Sequence, residues 1–231
     1  MKYRYSSPLF LDTVHALMHE FHDDHTNTLC MLGATDFCDT HDYDSMTKGY
    51  DKVIVFNQEP MAVSHSMCLF DASTGGVDKK SRYFEWLRRA DEVWDYDENN
   101  IAFLKTLGIN ARLHILKPYM DWQLFAPVDK DIDILFVGCV DKWPRRVSVI
   151  DFLMRTHNVM VIGMDNPVYG DILDSYILRS KILLNIHAAS ILQEQARMVR
   201  WIGAPCEIVS EKSAHNYLGV PEKEYWELFL L

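Results

Sequence analysis

The residue types most suited to chemistry lie in the second half of the chain, at or just after the ends of apolar segments and at the start of the helices that follow. They are Gly138, Arg145, Arg146, Asn185, His187, Glu194, Arg197, Ser210 and Glu211. Ligands of an open parallel sheet bind at the carboxyl ends of its strands. Glycine lets the backbone approach a ligand closely, and arginine binds phosphate oxygens in bidentate fashion. The set therefore predicts a binding site for an anion such as a diphosphate.

Arg145 and Arg146 begin a predicted helix directly after Pro144. The amino end of a helix favours anions, because its first N–H groups are unpaired and its dipole is positive there. Basic side chains are unfavourable at this position unless an anion balances them, which favours a bound anion. The alternative is that both arginines only decorate the start of the helix.

The carboxylates near the predicted strand ends also allow two interpretations. Glu211 could accept hydrogen bonds from the hydroxyl groups of a sugar or ribose, or the segment could only cap a following helix through Ser210 or Ser213. Glu194 and Arg197 are three residues apart in a predicted helix, so they share one face. They could bind a ligand or pair with each other.

Two successive series of strands and helices must position these residues. In the first half we predict strands at residues 3–6, 28–32, 52–56, 92–95 and 112–116 and helices at residues 8–22, 81–90 and 99–107. In the second half we predict strands at residues 132–137, 159–162, 182–186 and 207–209 and helices at residues 145–156, 171–179 and 193–201. Nearly continuous apolar strands are typical of parallel sheets that are covered on both faces. The pattern predicts an α/β protein with domains at residues 1–120 and 121–221 and a C-terminal helix, residues 222–231, that packs back on the body.

Composition narrows the functional classes. The 231 residues carry a formal net charge of −10, which argues against broad non-specific binding of nucleic acid. No apolar run approaches the roughly 18 residues that span a bilayer, and the N-terminus lacks an apolar signal segment, so we expect a cytoplasmic protein. Five cysteines without a CxxC motif predict reduced thiols, mostly packed in strands. The dinucleotide, P-loop, nucleophile-elbow and HExxH motifs are missing from the sequence.

Two clusters of titratable residues have both a functional and a structural interpretation. His15, His19, His22 and His25 share one predicted helix face, which could bind a metal, but a solvated polar face is favoured and no metal is expected. A basic cluster interleaved with aromatic residues could contact DNA. It consists of Lys79, Lys80, Arg82, Arg88 and Arg89. A helix with a buried aromatic face and solvated arginines is the favoured alternative.

The second half resembles the nucleotide-binding domain of GT-B glycosyltransferases, in particular a bacterial and phage group. The segments that carry the resemblance are residues 133–138 (DILFVG), 145–146 (RR), 169–173 (YGDIL), 180–187 (SKILLNIH), Glu194, Arg197 and residues 208–211 (IVSE). In the first half, residues 93–96 (VWDY) with Asn100 and residues 55–59 (VFNQE) resemble the same group. Many GT-B enzymes carry a second, ribose-binding glutamate where Arg200 and Trp201 stand here.

The resemblance implies two Rossmann-like domains that face each other across a cleft. It implies transfer of a sugar from a nucleoside diphosphate sugar, such as a UDP-sugar, to a hydroxyl acceptor. It places Gly138, Arg145 or Arg146, and Arg197 along the diphosphate. Around the base, ribose and sugar it places Tyr169, Asn185, His187, Glu194, Ser210 and Glu211. No metal or further cofactor would be required, because arginines and a helix N-terminus can neutralise the leaving diphosphate.

The acceptor base should come from the first domain. Glu59, at a predicted strand end, is the first candidate, and Asp36, in the loop after the second predicted strand, is the second. Glu59 could instead be an ordinary loop carboxylate before Pro60. The acceptor could be a surface glycan, a small molecule or hydroxymethylpyrimidine in phage DNA. A non-catalytic nucleotide-sugar-binding module on the same fold and an unrelated two-domain binding protein are the alternatives.

Overall fold

The computed structural model of the chain describes residues 1–22, 24, 26–58, 76–163, 165–187 and 192–231, and only the backbone of residues 9, 35 and 76–80. The chain divides into two compact units, Met1–Lys117 and Pro118–Leu231. Each unit contains one five-stranded sheet. All strand pairs in both sheets are parallel. The predicted α/β class with parallel sheets is therefore confirmed.

The first unit has its strands in sequence order across the sheet, β1-β2-β3-β4-β5. The strands are β1 Lys2–Tyr5, β2 Thr28–Leu32, β3 Lys52–Asn57, β4 Glu92–Asp95 and β5 Ala111–Leu113. The α-helices are α1 Leu11–Glu20, which follows a 3-10 turn at Pro8–Phe10, then α2 Ala34–Thr40, α3 Tyr43–Thr47, α4 Gly76–Arg89 and α5 Glu98–Thr106. Every residue of β2 is buried, as expected for a central strand covered on both faces.

The second unit has the strand order β10-β9-β8-β6-β7. Its elements are β6 Ile132–Val137, α6 Pro144–Leu153, β7 Val159–Ile162, α7 Gly170–Arg179, β8 Ser180–Asn185, α8 Gln195–Trp201, β9 Glu207–Glu211 and β10 Glu222–Lys223. Successive residues of β6 belong to two different hydrophobic clusters. Ile134 and Phe136 belong to one cluster, and Leu135 belongs to the other. Both faces of this sheet are therefore covered by core.

Four predicted strands, at residues 28–32, 92–95, 132–137 and 159–162, have the predicted bounds. The short helices α2 and α3 were not predicted. The left-handed Gly33, with φ +69°, precedes α2, and the carboxylate of Asp42 accepts a hydrogen bond from the Ser45 N–H at the start of α3 at 2.9 Å. Helices of seven and five residues are too short to show a helical hydrophobic period.

The C-terminal segment forms the edge strand β10 and then a 3-10 helix, Tyr225–Leu230, instead of a single helix over residues 222–231. The Glu224 side chain caps this helix, and the Glu227 side chain in turn accepts from the Glu224 N–H. Leu228 is fully buried in the same hydrophobic cluster as Phe136. Leu228, with Tyr225, Phe229 and Leu231 packed beside it, is thus part of the core of the second unit, whereas Trp226 and Leu230 are exposed.

Two further expectations concern the cysteines and membrane-spanning helices. Among the described cysteines only Cys30 lies in a strand, whereas Cys38 is helical and Cys139 and Cys206 flank strands. The expectation that most cysteines pack in strands is therefore wrong for this part of the chain. Within the described residues, no helix combines the length and the hydropathy needed to cross a bilayer.

Candidate functional site

The carboxyl ends of β6, β8 and β9 lie side by side in the second unit. Phe136 pairs with Leu184 of β8, and Asn185 pairs with Ser210 of β9. Because these strands are parallel neighbours, the polar residues at their ends meet at one edge of the sheet. The candidate site is this edge together with the starts of α6 and α8.

Gly138, directly after β6, is in close contact with Arg197 of α8. Its φ angle of +147° is one that residues with a side chain rarely adopt. A Cβ atom at this position would lie 2.8 Å from Nη2 of Arg197. The Gly138 N–H donates to the Ile162 carbonyl at 2.8 Å, which ties this turn to β7. Glycine is therefore required here for the backbone angle and for the position of the Arg197 guanidinium.

Arg146 is buried, with only 3% of its surface exposed. Its guanidinium donates to the Ile186 carbonyl at 2.8 Å, to the Cys139 carbonyl at 2.9 Å and to Oε1 of Glu194 at 2.5 Å. Arg146 thus joins the segments that follow β6 and β8 to the start of α8. It faces the interior, and the alternative that it only decorates the start of the helix is wrong.

Glu194 joins two arginines. One carboxylate oxygen accepts from Arg146 and the other pairs with Nη2 of Arg197. Nη1 of Arg197 also donates to Oδ1 of Asn185 at 3.1 Å. The pairing of Glu194 with Arg197 that the sequence allowed is present, but two guanidinium groups share one carboxylate. The Arg146–Glu194–Arg197 group therefore keeps one positive charge, and burial lowers the pKa of Arg197 to about 10.

Arg145 lies on the outer side of the same helix start, with its side chain 44% exposed. It forms an ion pair with Glu211, and its guanidinium lies 4.5 Å from the centre of the Tyr225 ring. Glu211 is only 3% exposed, and its second oxygen accepts from the backbone N–H of His187 at 2.9 Å. Glu211 is thus held rigidly at the end of β9, beside the end of β8.

His187 is 1% exposed, and among the described residues its Nδ1 atom has no hydrogen-bond partner. Its Nε2 atom lies 3.3 Å from the Ser213 hydroxyl oxygen. Burial lowers the pKa of His187 to about 4; Glu194 opposes this shift and Arg197 adds to it. His187 is therefore neutral near pH 7 and adds no charge to the site.

Asn185 and Ser210 form the layer behind these charged groups, and both are fully buried. The Asn185 amide donates to the Ser210 hydroxyl oxygen at 3.0 Å, and that hydroxyl donates to the Glu211 carbonyl at 2.9 Å. Asn185 thereby presents its amide oxygen to Arg197. No helix follows Ser210 or Ser213 before β10, so the alternative that either serine caps a following helix is wrong.

Tyr169 is half-buried at the start of α7, where Gly170 has φ +58°. Sequence reasoning gave no role to Arg200, which supports this turn: it donates to the Gly170 carbonyl at 3.2 Å and to Asp174 at 2.8 Å. Arg200 also donates to the Tyr119 hydroxyl at 3.0 Å. Arg200 thus has a packing role within the second unit. The sequence signal for this contact was one charged residue on the apolar face of each helix, Asp174 in α7 and Arg200 in α8.

The two acceptor-base candidates belong to the first unit. Glu59 lies outside the described residues. Asp36 is exposed in the first turn of α2, instead of in a loop, and accepts from the Ser6 hydroxyl at 2.7 Å. It follows β2, at the carboxyl edge of the first sheet.

The basic cluster lies on α4. The aromatic residues between its arginines are core: Tyr83, Phe84 and Trp86 are at most 7% exposed. Arg82 pairs with Asp39 at 3.0 Å, and Arg89 forms an ion pair with Asp44. Arg88 donates to a backbone carbonyl at 3.3 Å, whereas the side chains of Lys79 and Lys80 lie outside the described part. The interpretation of α4 as a helix with an aromatic core face is confirmed.

A buried carboxylate, Asp95, also ends a strand of the first unit. Three donors approach it: the Asn57 amide at 2.6 Å, the Asn100 amide at 3.1 Å and the Asp97 N–H at 3.0 Å. The Tyr83 hydroxyl donates to the Asn57 amide oxygen at 2.6 Å. Burial raises the pKa of Asp95 to about 7, although these donors oppose the shift. This network was not predicted from the sequence, in which Asp95 and Asn100 only contribute to the resemblance.

Of the four histidines that share one predicted helix face, His15, His19 and His22 are exposed on or beside α1, and His25 lies outside the described residues. Across the described residues, no group of three or more His, Cys, Asp or Glu side chains could hold a metal ion.

Comparison with known proteins finds three uncharacterized proteins of Acanthamoeba polyphaga mimivirus. The first is 26% identical over 189 residues, which cover 78% of this chain and 23% of that protein. The second is 27% identical over 132 residues and the third 31% over 98 residues; they cover 54% and 42% of this chain. The chain spans less than half the length of each relative, 23%, 41% and 11%.

No family model matches the sequence. A similar solved structure is the crystal structure of TarM, with a TM-score of 0.48, 8% sequence identity and coverage of 94% of this chain and 49% of that chain. An inference of function therefore rests on the residues of the site and on the resemblance carried by the sequence.

Proposed function

We propose that the second unit binds the diphosphate of a nucleoside diphosphate sugar, and that the protein is a glycosyltransferase. The observation that carries this proposal is the Arg146–Glu194–Arg197 group beside Gly138, at the carboxyl edge of a parallel sheet. One positive charge remains there after pairing. A buried positive charge is costly without a counter-ion, so a bound anion would stabilise the group.

The two arginines of this group would have different roles. Arg146 gives its guanidinium to two backbone carbonyls and Glu194, so it positions Arg197 through their shared carboxylate. A guanidinium has five N–H donors, and the contacts of Arg197 to Asn185 and Glu194 use two of them. Arg197 is therefore the phosphate ligand that we favour.

The start of α6 would supply further donors. No side chain caps this ten-residue helix, and Pro144 occupies its first turn. Its backbone N–H groups at Arg145 and Arg146 are therefore suited to an anion. These donors and the arginines could balance the charge of a leaving diphosphate, so we expect transfer without a metal ion.

In the proposed reaction, the oxygen of an acceptor hydroxyl forms a bond to the anomeric carbon of the donor sugar. The bond between that carbon and the diphosphate oxygen breaks, and the nucleoside diphosphate leaves with the electron pair. The hydroxyl proton passes to a carboxylate of the first unit, for which Glu59 is the first candidate and Asp36 the second. We expect a UDP-sugar as the donor.

For the acceptor, a hydroxyl of a glycan or small molecule is favoured over hydroxymethylpyrimidine in DNA. Aromatic side chains that bind single bases stack on them. Those of α4 are buried, and Arg82 and Arg89 are paired with carboxylates. The net charge of −10 also opposes DNA binding.

A panel of nucleotide sugars tests the proposal directly. The protein is incubated with each donor, with and without EDTA, and release of nucleoside diphosphate is measured alongside calorimetric binding. Release that is lost in Arg197→Ala supports a glycosyltransferase. Binding without release or transfer would instead indicate a nucleotide-sugar-binding module on the same fold, and the absence of any binding would contradict both.

A further inference from the structure

A pocket of 350 Å³ opens beside the ion pair of Arg145 and Glu211. Its lining consists of Arg145, Glu211, Lys212, Ser213, Ala214, Glu224 and Tyr225. The volume falls in the range of roughly 300–1,000 Å³ that small-molecule sites occupy. The start of α6, the end of β9 and the start of the C-terminal 3-10 helix form its walls.

The charges in this lining cancel. Arg145 is paired with Glu211, and Lys212 is paired with Glu224 at 2.6 Å. The pocket thus differs from the neighbouring Arg146–Glu194–Arg197 group, which keeps one positive charge. A charged ligand would have to displace one of these partners, whereas an uncharged polar ligand would not. The pocket is therefore suited to an uncharged ligand.

The polar groups of the pocket suit a ligand with several hydroxyl groups. Glu211 is held in place by Arg145 and the His187 N–H, and a carboxylate has about four lone-pair sites, so it can accept from a ligand as well. The Tyr225 hydroxyl donates to the Arg145 carbonyl at 3.1 Å, which fixes the half-buried ring in the wall. The Glu211 carboxylate can bind the hydroxyl groups of a sugar ring. The Tyr225 ring, one side of which contacts the Arg145 guanidinium, can contact the C–H surface of that sugar with its remaining surface.

Ser213 adds a hydroxyl that can act as donor or acceptor. It lies 3.3 Å from Nε2 of His187, whose Nδ1 atom has no hydrogen-bond partner in the described residues. A neutral imidazole can carry its proton on either nitrogen. His187 can therefore accept from Ser213 or donate to it, and the serine can adapt to a ligand hydroxyl of either polarity.

We propose that this pocket binds one pyranose ring of an uncharged saccharide through Glu211, Ser213 and Tyr225. This inference extends the proposed function and rests on it, because the proposed reaction has two substrates that could supply the ring. The ring is either the sugar of the nucleotide donor or a unit of the saccharide acceptor. Both present the same hydroxyl-rich ring to the pocket.

The test uses saturation-transfer NMR with the methyl pyranosides of glucose, galactose, mannose and N-acetylglucosamine, each with and without UDP. Calorimetry compares UDP with the corresponding UDP-sugars. The variants are Tyr225→Ala and Ser213→Ala, with Tyr225→Phe to keep the ring. The matched control is Trp226→Ala, because Trp226 is 63% exposed and lies outside the lining. Near-UV circular dichroism confirms that each variant is folded.

Each source gives a distinct positive result. If the ring belongs to the donor, one UDP-sugar binds about tenfold more tightly than UDP, and Tyr225→Ala removes the difference. If the ring belongs to the acceptor, a methyl pyranoside shows saturation transfer in the presence of UDP, and Tyr225→Ala and Ser213→Ala reduce it. In both cases Trp226→Ala keeps binding, and Tyr225→Phe separates the effect of losing the hydroxyl from that of losing the ring.

Two results would overturn the subsite. One is that neither a pyranoside nor a UDP-sugar responds to Tyr225→Ala or Ser213→Ala. The other is that inorganic phosphate displaces the bound sugar, which would show an anion site. If a pyranoside binds but UDP does not, the subsite is supported and the proposed function is contradicted. If UDP binds but a pyranose ring adds nothing to binding, the proposed function is supported and the subsite is contradicted.

Discussion

The backbone of Gly138 and the guanidinium of Arg197 are so close that a single methyl group cannot fit between them. A Cβ atom on Gly138 would lie 2.8 Å from Nη2 and 3.2 Å from Cζ of Arg197. The φ angle of +147° adds backbone strain for any other residue. The position of the proposed phosphate ligand thus depends on a glycine at the end of the neighbouring strand.

We predict that Gly138→Ala weakens UDP binding as well as stability. The strained backbone should cost on the order of 1–3 kcal/mol of unfolding free energy, and displacement of Arg197 should lower affinity. Gly219→Ala is the matched control, because Gly219 has φ +64° and open space around its Cα. Denaturation and calorimetry should show destabilisation in both variants and weaker UDP binding only in Gly138→Ala. Unchanged affinity in Gly138→Ala would contradict the site.

We predict that Arg197→Ala reduces UDP affinity by about 2 kcal/mol, because a charge-assisted hydrogen-bonded pair is lost. Arg145→Ala should also weaken binding, since it leaves the buried Glu211 carboxylate without its cation beside the diphosphate. Arg155→Ala is the control, because Arg155 follows the opposite end of α6. Calorimetry measures all three variants. If Arg197→Ala and Arg145→Ala both bind UDP like the wild type, the proposed site is wrong.

We predict that Asp95 makes the protein less stable as the pH rises from 5 to 7. Its pKa is raised from 3.8 to about 7 in the folded protein, so the folded state retains a proton that the unfolded state has lost. The unfolding free energy should therefore fall by up to about 1.4 kcal/mol per pH unit over this range. Urea denaturation at pH 5, 6 and 7 measures this slope.

Asp95→Asn should have a shallower slope than the wild type, because its side chain does not titrate. Equal slopes in the wild type and Asp95→Asn would show that Asp95 is charged over the whole range.

The sequence was sufficient to locate β1 to β9 and the edge at which the polar residues meet, but not the edge strand β10. β6 could be predicted to the residue because a nearly continuous apolar run, interrupted only by Asp133, is a strong local signal. The direction of each side chain was not predictable in the same way. Arg145 and Arg146 are adjacent in sequence. Arg145 is nevertheless exposed beside Tyr225, whereas Arg146 is buried and donates to the Ile186 carbonyl and to Glu194. Apart from the Cys139 carbonyl, the partners named above lie about 40 to 80 residues away, so only the folded chain decides which arginine faces inward.

The C-terminal segment shows the same limit. Its apolar residues predicted that it would be buried, but its capped 3-10 turn and the edge strand β10 depend on pairing with β9. Tyr225 consequently reaches Arg145, and a pocket forms that no local pattern indicates.

We predict that Glu59→Gln abolishes sugar transfer while UDP affinity stays near that of the wild type. A positioned general base typically contributes about a hundred- to ten-thousand-fold in rate, and it acts on the acceptor hydroxyl and not on the diphosphate. Glutamine keeps the size of the side chain but cannot take the proton. Transfer is measured with the donor that the nucleotide-sugar panel identifies, and affinity by calorimetry. Full activity in Glu59→Gln would move the assignment to Asp36, for which Asp36→Asn should then give the same loss of transfer.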